Sequence, residues 1–224
     1  MSAIIVAANG PSALSERVKA WPTDLSRVFR TNYFFLPEDD PLDYRVHDWF
    51  ICEDIADTRI VRAAMRFGNI HPTIWIPGIT ESRVNEIETN YLAGFPLRVQ
   101  KTFAGLPARC RWERDLVPER PLMGSFAIAV AVGMQPDELF LCGHDLFSHP
   151  SKQNHGGLEK NVRPWQDEFV REYITNTHRN HRLSGDLKYI QNALDCYGGH
   201  VVSVGTVLKN HFADRYPGWE WIDG

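Results

Sequence analysis

The order of apolar and polar residues alternates between two kinds of segment along the whole chain. Short apolar runs rich in β-branched residues have the length of buried strands, and the stretches between them have the spacing of helices. We predict strands at residues 3–8, 26–31, 46–51, 73–77, 97–103, 138–143 and 200–205. We predict helices at residues 57–66, 81–92, 124–133, 165–177 and 185–197. Because parallel strands must be joined by crossovers, this alternation predicts an α/β fold with a doubly wound, mostly parallel sheet.

The composition fits one globular domain over residues 1–224. Hydrophobic residues make up 43% of the chain and charged residues 23%, which are ordinary globular values. The net charge of −4 gives no general attraction for polyanions, so we do not expect nucleic acid to be a partner. The four cysteines are widely spaced without a CxxC pair, which favours reduced thiols. We expect a cytoplasmic protein, because we find neither a signal peptide nor a run of the ~20 apolar residues that span a membrane.

The turn after the first predicted strand, Asn9-Gly10-Pro11-Ser12, carries the first candidate chemistry. In a doubly wound sheet, ligands bind at the carboxyl ends of strands, where the next helix presents unpaired N–H groups to anions. Gly10 allows close backbone approach, and Pro11 suits a first helical turn. The turn is neither GxGxxG nor GxxxxGK[ST], so it predicts a phosphate or sugar site outside the dinucleotide and P-loop classes. The alternative is a plain strand-to-helix turn capped by Asn9.

Further polar residues follow other predicted strands. Asn32 directly follows the second strand, at a strand end where a parallel sheet is normally apolar. Gly143 is the last residue of the strand at residues 138–143, and Asp145 lies two residues further on. The least regular stretch, residues 147–164, is rich in Ser, Pro, Gly, Asn and Lys and begins just past that strand end. Such a position is typical of a mobile lid over a site, and we assign residues 147–182 to it.

Four sequence blocks, in order, carry a resemblance to a known family. They are IVAANGPS at residues 5–12, VFRTN at 28–32, the segment 120–147, and HRLSGDLK at 181–188. In these blocks the chain resembles the bacterial sialyltransferases of glycosyltransferase family 42, represented by the Campylobacter lipooligosaccharide sialyltransferases. Between residues 46 and 116 only the rhythm of strands and helices is shared.

The resemblance implies a Rossmann-like GT-A variant with a small lid subdomain. It implies an inverting, metal-independent transfer of sialic acid or a related nonulosonic acid from a CMP-sugar to a glycan acceptor such as lipooligosaccharide or capsule, without a cofactor. Under it, His181 is the general base and Arg120 an active-site arginine. The implied nucleotide-sugar contacts are Asn9, Gly10, Pro11, Ser12, Asn32, Gly124, Gly143, Asp145 and Thr206. It also suggests homo-oligomers, and it leaves peripheral association with the inner membrane open.

Three departures from the family pattern bear on the donor sugar. The stretch at residues 50–54 lacks a further nucleotide-binding asparagine, and Leu122 and Met123 replace a threonine-serine pair. Phe147 stands at the first of two lid tyrosines, and no tyrosine lies between Leu146 and Arg171. Our candidates for polar substitutes in the lid are Lys152, His155 and Arg163.

Other classes of protein stay open on the residues alone. Imidazoles and carboxylates are metal ligands, so a cluster of histidines with two neighbouring aspartates suggests a metal-dependent enzyme, although no fixed motif is matched. The cluster consists of His144, His149, His155, His178 and His181 with Asp145 and Asp186. An ATP-dependent pterin diphosphokinase-like enzyme shares a Gly-Pro-Ser turn, and a nucleotide-binding protein without transferase activity is a further alternative. We interpret residues 218–222 as a packed tail and Trp49, Phe50, Trp75, Phe140 and Phe169 as core.

Overall fold

The computed structural model describes most of the sheet and the helices that pack on it. The described residues are 2–22, 24, 26–32, 34, 40–43, 45–51, 73–91, 98–100, 103–111, 121–145 and 183–224. The helices predicted at 57–66 and 165–177, the predicted lid, Arg120 and His181 lie outside them.

The described strands form one parallel sheet. They are β1 (Ala3–Ala7), β2 (Ser26–Thr31), β3 (Asp48–Phe50), β4 (Thr73–Trp75), β5 (Arg98–Gln100), β6 (Glu138–Cys142), β7 (His200–Val204) and β8 (Glu220–Ile222). Their order is β5-β4-β3-β2-β1-β6-β7-β8, and each neighbouring pair runs parallel. The predicted doubly wound α/β fold is confirmed, and each predicted strand is present. β8 was not predicted; it pairs with β7 inside the segment interpreted as a tail.

The described helices connect or cover these strands. They are α1 (Glu16–Lys19), α2 (Glu81–Glu86), α3 (Met123–Gly133), α4 (Leu183–Leu194) and α5 (Thr206–Phe212). α2 continues as a wider turn of π-helix over Ile87–Tyr91, and short 3-10 helices cover Pro11–Leu14 and Ala108–Cys110. The predicted helices at 81–92, 124–133 and 185–197 are therefore confirmed. α1 and α5 were not predicted, because four and seven residues are too few for a clear helical period.

Apolar side chains are buried on both faces of the sheet. On one face, Val6, Phe29 and Leu141 pack with α3, whose residues from Met123 to Val132 are all buried. A helix buried on every side needs small apolar residues all round, which explains its run of Ala and Val. On the other face, Trp21 packs on Phe140, with ring centroids 5.3 Å apart. Among the residues interpreted as core, Trp49, Phe50, Trp75 and Phe140 are buried, while Phe169 lies outside the described residues.

The strand order creates a switch point beside β1. From β1 the chain proceeds outward through β2 to β5, returns to β6 on the other side of β1, and continues outward to β8. The connections that follow β1 and β6 therefore leave in opposite directions. In open α/β sheets the crevice between two such strands, at their carboxyl ends, is where ligands bind. Among the helices of the described segments, none has the length and apolar character to cross a bilayer.

Candidate functional site

The carboxyl ends of β1 and β6 are held close together by their backbones. The Ala8 N–H donates to the Cys142 carbonyl and the Gly10 N–H to the Gly143 carbonyl, each over 2.9 Å. Gly143 has a φ of +72°, and a Cβ at this position would overlap the Ala8 carbonyl. A Cβ at Gly10 would overlap Asp145 Oδ2 and lie 2.6 Å from the Gly143 oxygen. Both glycines are therefore required by the close approach of the two strand ends.

Asp145 anchors the first turn through Ser12. Asp145 Oδ2 accepts hydrogen bonds from the Ser12 N–H and the Ser12 hydroxyl, each over 3.0 Å. The same hydroxyl oxygen accepts the Gly143 N–H over 2.9 Å. Ser12 thus bridges the turn after β1 to the chain after β6, and it is only 4% exposed.

These bonds change one expectation about the first turn. Unpaired N–H groups were predicted here, but Ser12 donates to Asp145 and the Ala13 N–H donates to the Gly10 carbonyl over 3.0 Å. The cap of the Pro11–Leu14 helix is Gly10, not Asn9, and it makes no side-chain capping bond. A carboxylate now occupies the position expected for an anionic ligand, and like charges repel. This corner of the crevice suits hydroxyl or amino donors better than a phosphate.

Asn9 and Asn32 lie at the same level of the sheet edge. Ala7 pairs with Arg30, and each asparagine follows two residues beyond that pair. Asn32 has a φ of 41°, a left-handed conformation that asparagine tolerates better than most residues. Its N–H donates to the Phe50 carbonyl and its carbonyl accepts from Trp49 Nε1, each over 2.8 Å. The backbone of Asn32 is therefore fixed, and both predicted strand-end asparagines lie at the carboxyl edge of the sheet.

A buried ion pair supports the end of β2 beneath Asn32. Arg30 Nη2 lies 2.9 Å from Asp40 Oδ2, and the two side chains are only 5% and 2% exposed. The Arg30 guanidinium also donates to the Phe34 carbonyl and lies over the Phe34 ring, 5.3 Å from its centroid. Arg30 thereby ties the chain on both sides of Asn32 to the sheet, a role that its position in the VFRTN block did not reveal.

His144 fills the space behind the crevice, against the start of α3. Its Nε2 lies 3.2 Å from the Val6 carbonyl, so Nε2 carries the proton and Nδ1 is the acceptor. A Cβ at Gly124 would lie 3.0 Å from His144 Nδ1 and 3.2 Å from the Ala8 Cβ. Burial lowers the pKa of His144 to about 4, against a smaller opposite effect of the Val6 hydrogen bond. His144 is therefore a neutral packing residue, and Gly124 is the small residue that accommodates it.

The first turn of α3 is capped by a residue that the sequence did not mark for this role. Leu122 precedes the helix and makes no side-chain capping bond. Asp186 of α4 supplies it: its Oδ1 accepts the Leu122 N–H over 2.7 Å and the Ser125 hydroxyl over 2.8 Å. Leu122 and Met123, which have no hydroxyl groups, pack in or against the apolar core.

β7 also ends at this edge of the sheet. Gly205 has a φ of +147°, and a Cβ there would lie 3.1 Å from Ser12 Oγ. Thr206 follows as the first residue of α5 and is exposed. The predicted nucleotide-sugar contacts all belong to the described residues. They lie at this edge of the sheet, except for Gly124, which lies behind it at the start of α3. Whether these residues contact a nucleotide stays a prediction.

The histidine cluster suggested as a metal site lies mostly outside the described residues. Of its members, His144, Asp145 and Asp186 are described, and each is hydrogen-bonded as stated above. Within the described segments no three His, Cys, Asp or Glu side chains are grouped to hold a metal ion. Cys110, Cys142 and Cys196 are free thiols, as predicted, and Cys52 is outside the described part of the chain.

Comparisons with known proteins identify the fold. No family model matches the sequence. No curated protein matches it either. Solved structures of Campylobacter jejuni sialyltransferases do match. CstII in complex with the substrate analogue CMP-3FNeuAc superposes with a TM-score of 0.65 at 15% identity, covering 97% of this chain and 85% of that one.

Two further structures from the same organism agree. The monofunctional α-2,3-sialyltransferase Cst-I has a TM-score of 0.64 at 16% identity, over 94% of this chain and 78% of that one. CstII in complex with a trisaccharide acceptor and CMP has a TM-score of 0.61 at 16% identity, and the match covers 98% of this chain and 86% of that one. The chain therefore has a sialyltransferase-like fold over nearly its whole length.

Proposed function

We propose that this protein is a glycosyltransferase that moves sialic acid or a related nonulosonic acid from a CMP-sugar to a glycan acceptor. The observation that carries the proposal is the crevice at the β1–β6 switch point. There Asn9, Asn32 and Asp145 gather polar groups at one sheet edge. Structures of the same fold, named above, contain CMP or a CMP-sugar analogue and, in one case, an acceptor trisaccharide.

The charge of Asp145 suggests how the nucleotide is oriented. A carboxylate accepts hydrogen bonds from ribose hydroxyls or the cytosine amino group, but it repels a phosphate. We therefore propose that the nucleoside end lies beside Ser12 and Asp145, and that the phosphate lies on the side of Asn32. The amides of Asn9 and Asn32 supply neutral donors between the two ends.

The chemistry that we propose for the remaining residues follows from the bond that breaks. In transfer from a CMP-sugar, the acceptor oxygen bonds to the anomeric carbon and loses its proton, while the bond from that carbon to the phosphate oxygen breaks and CMP leaves with the electron pair. Positive charge develops on the sugar in between, so the site needs a base for the acceptor hydroxyl and donors for the phosphate of the departing CMP. His181 is the proposed base, because the ordinary pKa of histidine, near 6.5, suits that step. Arg120 is the proposed donor to the leaving phosphate. A direct displacement of this kind inverts the sugar and needs neither a metal nor another cofactor.

The donor and acceptor are proposed at the level of chemical class. The stretch at residues 50–54 without the further asparagine, and the absence of a tyrosine between Leu146 and Arg171, favour a relative of sialic acid as much as sialic acid itself. A bacterial lipooligosaccharide or capsule glycan is the proposed acceptor. We place the reaction in the cytoplasm, with peripheral association at the inner membrane and homo-oligomers as further parts of the proposal.

The nucleotide site is tested first, by calorimetric titration with CMP, CDP, UDP, ADP and GDP. We expect CMP to bind most tightly, and Gly10→Ala to abolish this binding because its Cβ would overlap Asp145. Gly218→Ala is the matched control, since a Cβ there meets no atom within 4 Å. If Gly10→Ala does not fold, Asn9→Ala replaces it as the test variant in this titration. Equal affinity for all five nucleotides would refute the proposal, and tightest binding of ADP would favour the kinase-like alternative.

Catalysis is tested by donor hydrolysis and by transfer to an acceptor. His181→Ala should slow transfer by roughly 100- to 10,000-fold, the usual effect of losing a general base. His211→Ala, an exposed histidine of α5, is the control and should leave the rate unchanged. Normal transfer by His181→Ala would remove that residue from the mechanism. If alanine at Lys152, His155 and Arg163 in turn leaves donor hydrolysis unchanged, none of them assists the leaving group.

A further inference from the structure

Asp186 joins the first turns of two helices. It lies in the first turn of α4 and is only 3% exposed, yet its Oδ1 bonds to the Leu122 N–H and the Ser125 hydroxyl at the start of α3. A buried carboxylate is costly unless it is hydrogen-bonded, and the first N–H groups of a helix need an acceptor. Asp186 meets both requirements at once, so the beginnings of α3 and α4 are fixed relative to each other.

The two proposed catalytic residues lie in the sequence shortly before these two helix starts. Arg120 precedes Leu122 by two residues, and His181 precedes Asp186 by five. Helix α3 is rigidly held, because its residues from Met123 to Val132 are all buried. The bonds of Asp186 hold the start of α4 against the start of α3. They therefore also fix the position at which the chain that contains His181 joins α4.

We infer that Asp186 is a positioning residue, which holds the start of α4 on the start of α3 so that His181 and Arg120 act in one geometry. The inference rests on the proposed function and adds to it a residue that does not touch the substrate. A displacement of about 1 Å can cost a factor of about 100 in rate, so loss of this link should be visible in kcat. Binding of CMP beside Ser12 and Asp145 should be preserved, because no bond described there involves Asp186.

The test compares Asp186→Ala with Asp195→Ala in the full chain. Asp195, just beyond the end of α4, is also a bonded carboxylate: it accepts from Tyr216 Oη over 2.7 Å and from Arg215 Nη2 over 3.0 Å. Asp186→Ala should lower kcat for transfer about 100-fold with the CMP dissociation constant within about threefold of wild type. Asp195→Ala should leave kcat unchanged. Ser125→Ala, which removes one of the two bonds, should give an intermediate loss.

Two outcomes would overturn the inference: a kcat loss in Asp186→Ala no greater than in Asp195→Ala, or a loss of CMP affinity as large as that of kcat. If Asp186→Ala does not fold, Ser125→Ala and Asp186→Asn take its place in the test. Asp186→Asn retains an acceptor oxygen and should recover most of the rate.

Amide hydrogen exchange separates this inference from the proposed function. Even if CMP is not a ligand, Asp186→Ala should speed exchange at both 122–126 and 183–187, and an unchanged rate at either would refute the link.

Discussion

At the scale of single residues, the position of His144 determines a pH dependence. Its ring is 3% exposed, Nε2 donates to the Val6 carbonyl, and Nδ1 faces Gly124 without a hydrogen-bond partner among the described residues. Burial disfavours the charged imidazolium and lowers the pKa to about 4. The neutral ring is therefore part of the folded structure, and a proton on it opposes folding.

The sign of the effect on stability follows from this pKa. In the unfolded chain His144 titrates near 6.5, so between pH 6.5 and 4 the unfolded state binds the proton more readily. Its contribution to the free energy of unfolding is present above pH 6.5 and falls by roughly 3 kcal/mol as the pH drops towards 4. Urea unfolding at several pH values should show a weaker dependence in His144→Gln, while the exposed control His211→Gln should follow wild type. Parallel curves for His144→Gln and wild type would contradict this assignment.

At the scale of elements, the Arg30–Asp40 pair connects β2 with the chain beyond it. Both partners are almost fully buried, and Asp40 Oδ1 also accepts the Leu42 N–H over 3.2 Å. Removing one partner of a buried pair leaves an uncompensated charge and costs about 3–5 kcal/mol, whereas replacing both by apolar residues costs far less. The pair therefore matters more for the conformation around Asn32 than for net stability.

A double-mutant cycle tests this view of the β2 end. We expect Asp40→Leu and Arg30→Met each to lower the free energy of unfolding by about 3–5 kcal/mol, and the double variant to be closer to wild type than either. The double variant should nevertheless bind CMP more weakly, because it loses the link from Arg30 to Asp40 and to the Phe34 carbonyl, which joins the chain beyond Asn32 to β2. Additive losses of stability would show that the two side chains do not act as a pair.

The sequence predicts strands and buried helices well because their signals are local. Apolar runs predict β1 and β6 to within one residue at each end, since burial on both faces requires continuous apolar residues. β8 is missed because only three residues pair, at the edge of the sheet, and none of them is buried: Glu220 is exposed, and Trp221 and Ile222 are only partly buried. Short helices such as α1 depend on packing of Val18 rather than on a pattern.

The candidate site is predictable only in part for the same reason. Parallel topology brings strand ends together, so Asn9, Asn32 and Gly143 could be assigned to one edge from the sequence. The bond from Ser12 to Asp145 spans 133 positions, and that from Ser125 to Asp186 spans 61. Such contacts have no local signature, which is why the carboxylate at the first turn and the cap of α3 emerge only from the structure.

At the scale of the whole molecule, the switch point joins two halves of the sheet. β2 to β5 extend from one side of β1, and β6 to β8 from the other, so the halves meet along the β1–β6 pair. The bonds of Gly10 and Ser12 to Gly143 and Asp145 cross this junction at the crevice. A ligand bound there contacts both halves, and its binding free energy adds to the stability of the entire sheet.

Thermal unfolding with nucleotides tests this coupling. A ligand at 100 times its dissociation constant stabilises the folded state by about 2.7 kcal/mol, which for a chain of this size raises Tm by roughly 5–10 °C. We expect CMP to give this shift and UMP a smaller one at the same concentration, because UMP lacks the amino group that a carboxylate such as Asp145 can accept from. Gly10→Ala should lose the shift and Gly218→Ala should keep it. Equal shifts with CMP and UMP would place the base away from Asp145, and a shift that persists in Gly10→Ala would place the nucleotide outside the crevice.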